Sequence, residues 1–182
     1  MPITFDQLSS EQKEVCIRYI QNTGTFAFEL NARLRNNAIQ GTLWEEPLAI
    51  LDSIFRIEPQ GTNPMLLFRG TKDDIQERLD PDANTFSSFQ FMSVSLDENI
   101  AARFANTPPE LFLRIHFQCS NIRLLNLDHD GNNTMEGEFL IPRNTRFRVL
   151  YNGVYNDFNS LRHLGVADSL EELHFIGICP IV

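Results

Sequence analysis

Apolar positions along this chain change their period once, near residue 65. Before that point they recur at helical spacing. Ser9 followed by Gln12 has the form of a capping box, and Val15, Ile17, Tyr19 and Ile20 supply the apolar positions of a first helix ahead of Gly24. Phe26, Leu30, Leu34 and Ala38 recur every four residues and predict a second helix. Pro47 in a first turn, then Leu48, Leu51, Ile54 and Phe55, predicts a third. The Pro- and Gly-containing stretch 59–64 reads as a loop.

Beyond it the texture is that of strands. Residues 65–69 and 91–95 are short apolar runs, the second followed by Asp97 as N-cap of a helix through Ile100 and Phe104. Leu111, Leu113, Ile115 and Phe117 alternate on one face. Residues 138–141 and 145–151 flank a turn at 142–145, and 174–182 reads as a closing strand. Helices first and strands afterwards predict an α+β fold rather than a doubly wound sheet. The length of 182 residues fits one domain, 1–182, with a helical part over 1–60 and a strand-rich core over 65–182.

Composition narrows the function classes. The net charge of −9 argues against broad binding to nucleic acid or to an anionic membrane. No stretch approaches the roughly 18 apolar residues of a membrane span, and no basic-then-apolar signal peptide is visible at the start. The three cysteines, Cys16, Cys119 and Cys179, are far apart and read as reduced thiols. His116 and Cys119 form no larger ligand cluster, and Asp128-x-Asp130-x-Asn132 lacks the glycine and glutamate of a calcium loop, so no metal is expected. Neither GxGxxG after a strand nor GxxxxGK[ST] occurs, which removes both common nucleotide fingerprints.

Three short pieces remain, in a fixed order. Arg69 ends an apolar strand within Leu66-Leu67-Phe68-Arg69-Gly70. Ser93 and Ser95 lie two apart in Phe91-Met92-Ser93-Val94-Ser95 and so point the same way. Glu136 and Glu138 enter a further strand two apart, which predicts two carboxylates on one face. Each piece alone has an ordinary reading as a solvated arginine, an edge strand or an exposed acidic face. In this order and with these flanks, the chain resembles the mono-ADP-ribosyltransferases of bacterial toxins and effectors. That family carries an Arg, a Ser-Thr-Ser and a Glu-x-Glu ahead of a Leu-x-Pro-x-x-Thr-x-Phe-x-Val segment. Here the segment is Leu140, Pro142, Thr145, Phe147 and Val149, and Val94 stands in place of the central threonine.

The resemblance implies a split β-sandwich with N-terminal helices, NAD as substrate, no metal, and a target protein bearing an acceptor arginine. It implies that Glu138 faces the nicotinamide ribose, where a carboxylate stabilises an oxocarbenium-like centre. Glu136 would orient or deprotonate the incoming guanidinium. Arg69 would grip the pyrophosphate through paired hydrogen bonds. Ser93 would position the carboxylate and ribose, with Ser95 in support, and Gly70 and Thr71 would offer backbone groups to the nicotinamide amide. Phe86 and Phe89 are candidates to stack on the nicotinamide ring, and read equally well as core aromatics. An NAD glycohydrolase and a catalytically silent interaction module are the competing readings. The expected setting is a monomeric bacterial effector or toxin.

Overall fold

The computed structural model describes residues 2–21, 25–58, 66–71, 79–80, 82–104, 111–116, 122–128, 137–155 and 173–181. Glu136, Cys119, Asp130, Asn132 and the 59–64 loop lie outside the described residues.

The helical part forms as its caps dictate. Helix α1 (Ser10–Ile20) starts at Ser9, whose hydroxyl accepts from the Gln12 amide while the Gln12 side chain returns to the Ser9 amide. Helix α2 (Phe26–Arg35) stops earlier than the four-residue recurrence predicts. Asn37 takes a left-handed conformation (φ 52°), and the Asn37 and Ala38 amides donate back to the Leu34 and Arg33 carbonyls. Ala38 is thus the residue closing a Schellman turn, not a further helical position. Helix α3 (Glu45–Ile54) begins two residues ahead of Pro47.

Among the described residues nine strands follow: β1 (Leu66–Thr71), β2 (Leu79–Asp80), β3 (Thr85–Ser88), β4 (Met92–Ser95), β5 (Leu111–His116), β6 (Leu125–Asn126), β7 (Glu138–Ile141), β8 (Thr145–Tyr155) and β9 (Leu173–Pro180). Helix α4 (Glu98–Arg103) follows β4 and is capped by the Asp97 carboxylate, as its sequence predicts. The strand order is β2-β3-β8-β9-β5-β1-β4-β7-β6. All neighbours are antiparallel except β5 and β9, which run parallel, so β9 lies inside the sheet between β8 and β5.

This order hides a division. Strand β1 pairs with β5 along its whole length, from Leu66 with His116 to Thr71 with Leu111. It meets β4 through one residue pair, Phe68 with Ser95. A six-strand block and a three-strand block (β4, β7, β6) therefore hinge on a single rung. The α+β architecture and the split sandwich with helices at one side are as the sequence predicts.

Two cores lie on either side of the small block. Leu67, Phe86, Met92, Val94, Ile115, Phe139, Ile141, Phe147, Val149, Ile176 and Ile178 fill the space between the blocks. Val15, Cys16, Tyr19, Phe26, Leu30, Leu48, Leu51 and Ile54 pack on the opposite face, against Phe91, Leu125, Leu127 and Leu140. Alternation along β4 and β7 divides their side chains between the cores: Met92, Val94, Phe139 and Ile141 inward, Phe91 and Leu140 towards the helices. Ser93, Ser95 and Glu138 have the parity of the second set.

The helices are also tied by charge. Arg143, in the β7–β8 turn, makes a forked contact to the Asp52 carboxylate of α3, with N–O distances of 2.7 to 3.1 Å. Arg123 donates to the carbonyl of Phe55 at the C-terminus of α3 (2.6 Å), where a cation complements the helix dipole. The Arg143–Asp52 pair is about seven-tenths shielded and bidentate, so it contributes more than an ordinary surface ion pair. We expect Arg143→Met to lower the urea-unfolding free energy by about 1–2 kcal/mol. A double-mutant cycle with Asp52→Asn should return most of that loss as coupling, and additive losses would mean that the fork is not what holds α3.

Candidate active site

The site forms where the sheet divides. Past Phe68 the β1–β4 ladder stops, and the next residue, Arg69, reaches across instead: its Nη1 donates to the Ser93 carbonyl at 2.7 Å. A guanidinium there satisfies a backbone acceptor that a regular ladder would have served. It also fixes a positive charge at the mouth of the split.

Strands β4 and β7 bring the serines to the glutamate. Ser95 stands directly opposite Glu138, and Ser93 stands opposite Leu140, one same-face step away. Facing side chains on such a pair have Cβ atoms roughly 5 Å apart. Glu138 is further held from behind, because the Leu127 amide donates to its carbonyl at 2.9 Å. Ser95 also accepts from the Asp97 amide (2.9 Å), so the strand turns directly into α4. Helix α4 packs mainly against β1 and also touches β4.

Sequence periodicity missed Tyr19, which it assigns to the apolar stripe of α1. The ring does belong to the core, edge-on to Phe91 at 6.2 Å. Its hydroxyl, however, accepts from Asn31 Nδ2 of α2 at 2.9 Å and is close enough to the Ser93 side chain to feel it. Burial pushes the phenol up to about 12; Asn31, Arg69 and Ser93 oppose that rise and the Glu138 charge adds to it. Tyr19 is thus within electrostatic reach of both charged residues of the site. The signal available in the sequence was a tyrosine, rather than a Leu or Phe, on an otherwise apolar helix face. Asn31 Oδ1 is buried without a hydrogen-bond partner among the described residues, an acceptor that a ligand hydroxyl or N–H would satisfy.

The remaining candidates divide. Gly70 and Thr71 lie in β1, paired to Phe112 and Leu111 and buried, on the strand where pairing to β4 has ended. Phe86 is not available to a ligand ring: it is 2% exposed and stacked on Phe147 at 5.7 Å. Phe89 is 55% exposed, in a turn held by the hydrogen bond from Arg35 of α2 to the Gln90 side chain. Phe104, at the C-cap of α4, presents a second exposed aromatic at 57%. Arg143 of the β7–β8 turn is taken up by its contact with Asp52, while Arg146 and Arg148 of β8 are exposed. Glu136 lies outside the described residues, but strand β7 begins at Glu138 and Gly137 is left-handed (φ 53°). The extended alternation on which a shared face for the two carboxylates was predicted therefore ends at Glu138.

Among the described residues no three His, Cys, Asp or Glu side chains gather as a metal site, and no helix is long and apolar enough to cross a membrane. Cys16 and Cys179 are buried, and neither is in a disulfide.

No protein-family model matches the sequence, and no curated protein sequence does. Solved structures do match. The chain is similar to Plx2a, an ADP-ribosyltransferase toxin from Paenibacillus larvae, with a TM-score of 0.68 at 13% identity, over 97% of this chain and 89% of that one. It is similar to the enzymatic component C2-I of the Clostridium botulinum C2 toxin (TM-score 0.70, 13% identity), over 97% of this chain and 44% of that one. Exoenzyme S from Pseudomonas aeruginosa, solved with human 14-3-3 protein beta and carba-NAD, matches at a TM-score of 0.66 and 15% identity, over 93% of this chain and 72% of that one. The fold is that of the bacterial ADP-ribosyltransferase toxins. The chain spans less than half the length of C2-I.

Tyr19 provides a check on the site's geometry. Its folded value lies above the ordinary tyrosine value near 10, so the folded state keeps the phenol proton longer than the unfolded chain does. The stability this contributes is present below pH 10 and is lost as pH rises from about 10 to 12. In an absorbance titration, one of the three tyrosines should ionise late. Tyr19→Phe should remove that late step and flatten the alkaline loss of stability; an unchanged titration would place the phenol in water.

Proposed function

We propose that this chain is a mono-ADP-ribosyltransferase that moves ADP-ribose from NAD to an arginine side chain of a target protein and releases nicotinamide. One observation carries the reading. Arg69, Ser93 and Glu138 come from three separate sequence pieces, yet they meet at the one-rung split of a fold shared with ADP-ribosyltransferase toxins. The retention of these residue types at the split favours chemistry over a silent module.

The steps follow from the residue types. Arg69 engages the pyrophosphate, with the Ser93 carbonyl holding one edge of the guanidinium in place. Ser93, Ser95, Tyr19 and the unpartnered Asn31 oxygen offer polar contacts for the nicotinamide ribose. The bond between ribose C1′ and the nicotinamide nitrogen breaks, its electron pair leaving with neutral nicotinamide. The Glu138 carboxylate stabilises the positive charge that develops on the ribose. A guanidinium nitrogen of the acceptor then bonds to C1′ and gives up a proton, for which Glu136 is the base. Gly70 and Thr71 serve the nicotinamide carboxamide, and of the aromatics Phe89 or Phe104 offers a face for the ring. The fold neighbours' biology fits a bacterial effector or toxin acting on a host protein; the net charge of −9 suits a protein target better than a nucleic acid.

Two sets of variants test the reading. Arg69→Lys keeps the charge but loses the planar fork, and should raise the KM for NAD about tenfold or more. An unchanged KM would return Arg69 to a structural role. Glu138→Gln should reduce both nicotinamide release and ADP-ribosylation of agmatine by about a hundredfold or more. Glu136→Gln should lose transfer while keeping much of the reaction with water. Paired assays on purified protein decide it, and identical behaviour of the two variants would refute the division of roles.

A further inference from the structure

Strand β6 has two residues and ends the strand order beside β7. Its surroundings draw on it from two sides. On one side Leu125 pairs with Leu140, Asn126 pairs with Phe139, and the Leu127 amide donates to the Glu138 carbonyl at 2.9 Å. On the other side Ile3 takes the edge as a parallel bridge to Leu125. The Ile3 amide donates to the Leu124 carbonyl at 2.7 Å, and its carbonyl accepts from the Asn126 amide at 2.8 Å. So short a strand has little ladder of its own, and each of these bonds carries a large part of what holds it.

The residues around Ile3 are fixed independently of β6. Thr4 and Gln7 close on each other around a single 3-10 turn (Phe5–Gln7): the Thr4 amide donates to Gln7 Oε1 at 2.9 Å, and the Gln7 amide to the Thr4 carbonyl at 3.1 Å. Two residues further on, Ser9 caps α1. Ile3 is fully buried and shares the core under the helices with Phe5, Leu8, Leu125, Leu127 and Leu140. A bridge thus runs from the base of α1, through β6, to the backbone of Glu138. Glu138 is the first residue of β7, the place where a ladder frays most readily. Its backbone stands between Ser95 on one side and Leu127 on the other.

We propose that Ile3 is a positioning residue for the reaction at Glu138, acting through β6: its backbone bonds to Leu124 and Asn126 set turnover and leave NAD affinity alone. The proposal rests on the reading of the site as an ADP-ribosyltransferase. Affinity is spared because Arg69, which grips the pyrophosphate, stands on β1 in the other block, and β1 pairs with β5 and β4 but not with β6. The carboxylate that stabilises the ribose charge stands on the strand that Ile3 steadies. A drift of that strand end changes the distance from the carboxylate to C1′ in the transition state, with little effect on ground-state binding.

The test uses Ile3→Pro in the full chain, which keeps an apolar side chain and deletes the donor to Leu124, with Ile3→Val as the conservative variant. Nicotinamide release gives kcat and the KM for NAD, and amide hydrogen exchange reads Asn126 and Leu127 directly. Ile3→Pro should lower kcat about tenfold, hold the KM for NAD within about twofold, and speed exchange at both amides about tenfold. Ile3→Val should match wild type in all three. Leu8→Ala removes a buried side chain from the same segment and core but no bond to β6, so it should lower the melting temperature with kcat unchanged. Should Ile3→Pro fail to fold, Gln7→Ala carries the test: it opens the exposed contact with Thr4 and should move kcat and exchange the same way by about threefold. Folded variants with unchanged kcat, or with a KM for NAD that rises in step with the loss, overturn the proposal. So does a Leu8→Ala chain whose kcat falls as far as that of Ile3→Pro. A wild-type chain that releases no nicotinamide overturns the reading beneath the proposal and the turnover claim with it, while the exchange rates still show whether Ile3 holds β6.

Discussion

A sheet that pairs two blocks through a single rung must do something with the backbone groups beyond that rung. Here Arg69 takes one of them, the Ser93 carbonyl, with its side chain. The rest of the arrangement depends on that exchange. Were the β1–β4 ladder continuous, the two blocks would be one smooth sheet and Ser93 would present its carbonyl to β1. Because the ladder stops, a guanidinium is drawn into the split, a serine hydroxyl faces the helices, and a carboxylate stands on the neighbouring strand. Each group has an ordinary structural reason for its position, and together they leave a polar mouth between two apolar cores.

The helices close this mouth from the side. Phe91, fully buried just ahead of β4, lies edge-on to Tyr19 and stacked on Phe55 at 6.0 Å, so the strand bearing Ser93 is clamped by rings of α1 and of the end of α3. The Arg143 fork fastens the same helix to the β7–β8 turn. A disturbance of the helical part thus reaches Ser93 through packing, and Glu138 through the turn that follows its strand.

What the sequence made legible follows from where its signals are local. The Ser9–Gln12 box, the Asp97 cap and the alternation of β4 and β7 act over two to four residues, and they appear as predicted. Arg69, Ser93 and Glu138, from three separate stretches, lie on adjoining strands. Strands β2 and β6 have two residues each and exist because a neighbouring strand supplies the ladder, which no local pattern encodes. Phe86 and Phe89 are three apart and chemically alike; only the position of Phe147 makes the first core and leaves the second in solvent. Tyr19 was hidden because periodicity counts a ring as apolar and ignores its hydroxyl. The left-handed Gly137 between the two glutamates is likewise set by its own backbone, which an alternation pattern does not encode.

The position of β9 has a consequence for how such a chain comes into being. This strand follows β5 and β8 along the chain yet lies between them in the larger block, parallel to β5 and antiparallel to β8. On a ribosome, or during passage through any pore that threads the chain from its first residue, β5 and β8 emerge with the slot between them empty. Two open strand edges and the unfilled places of Ile176 and Ile178 persist until β9 arrives. The larger block closes in one late event rather than by gradual accretion. Open edges of that kind are the surfaces that chaperones and proteases engage.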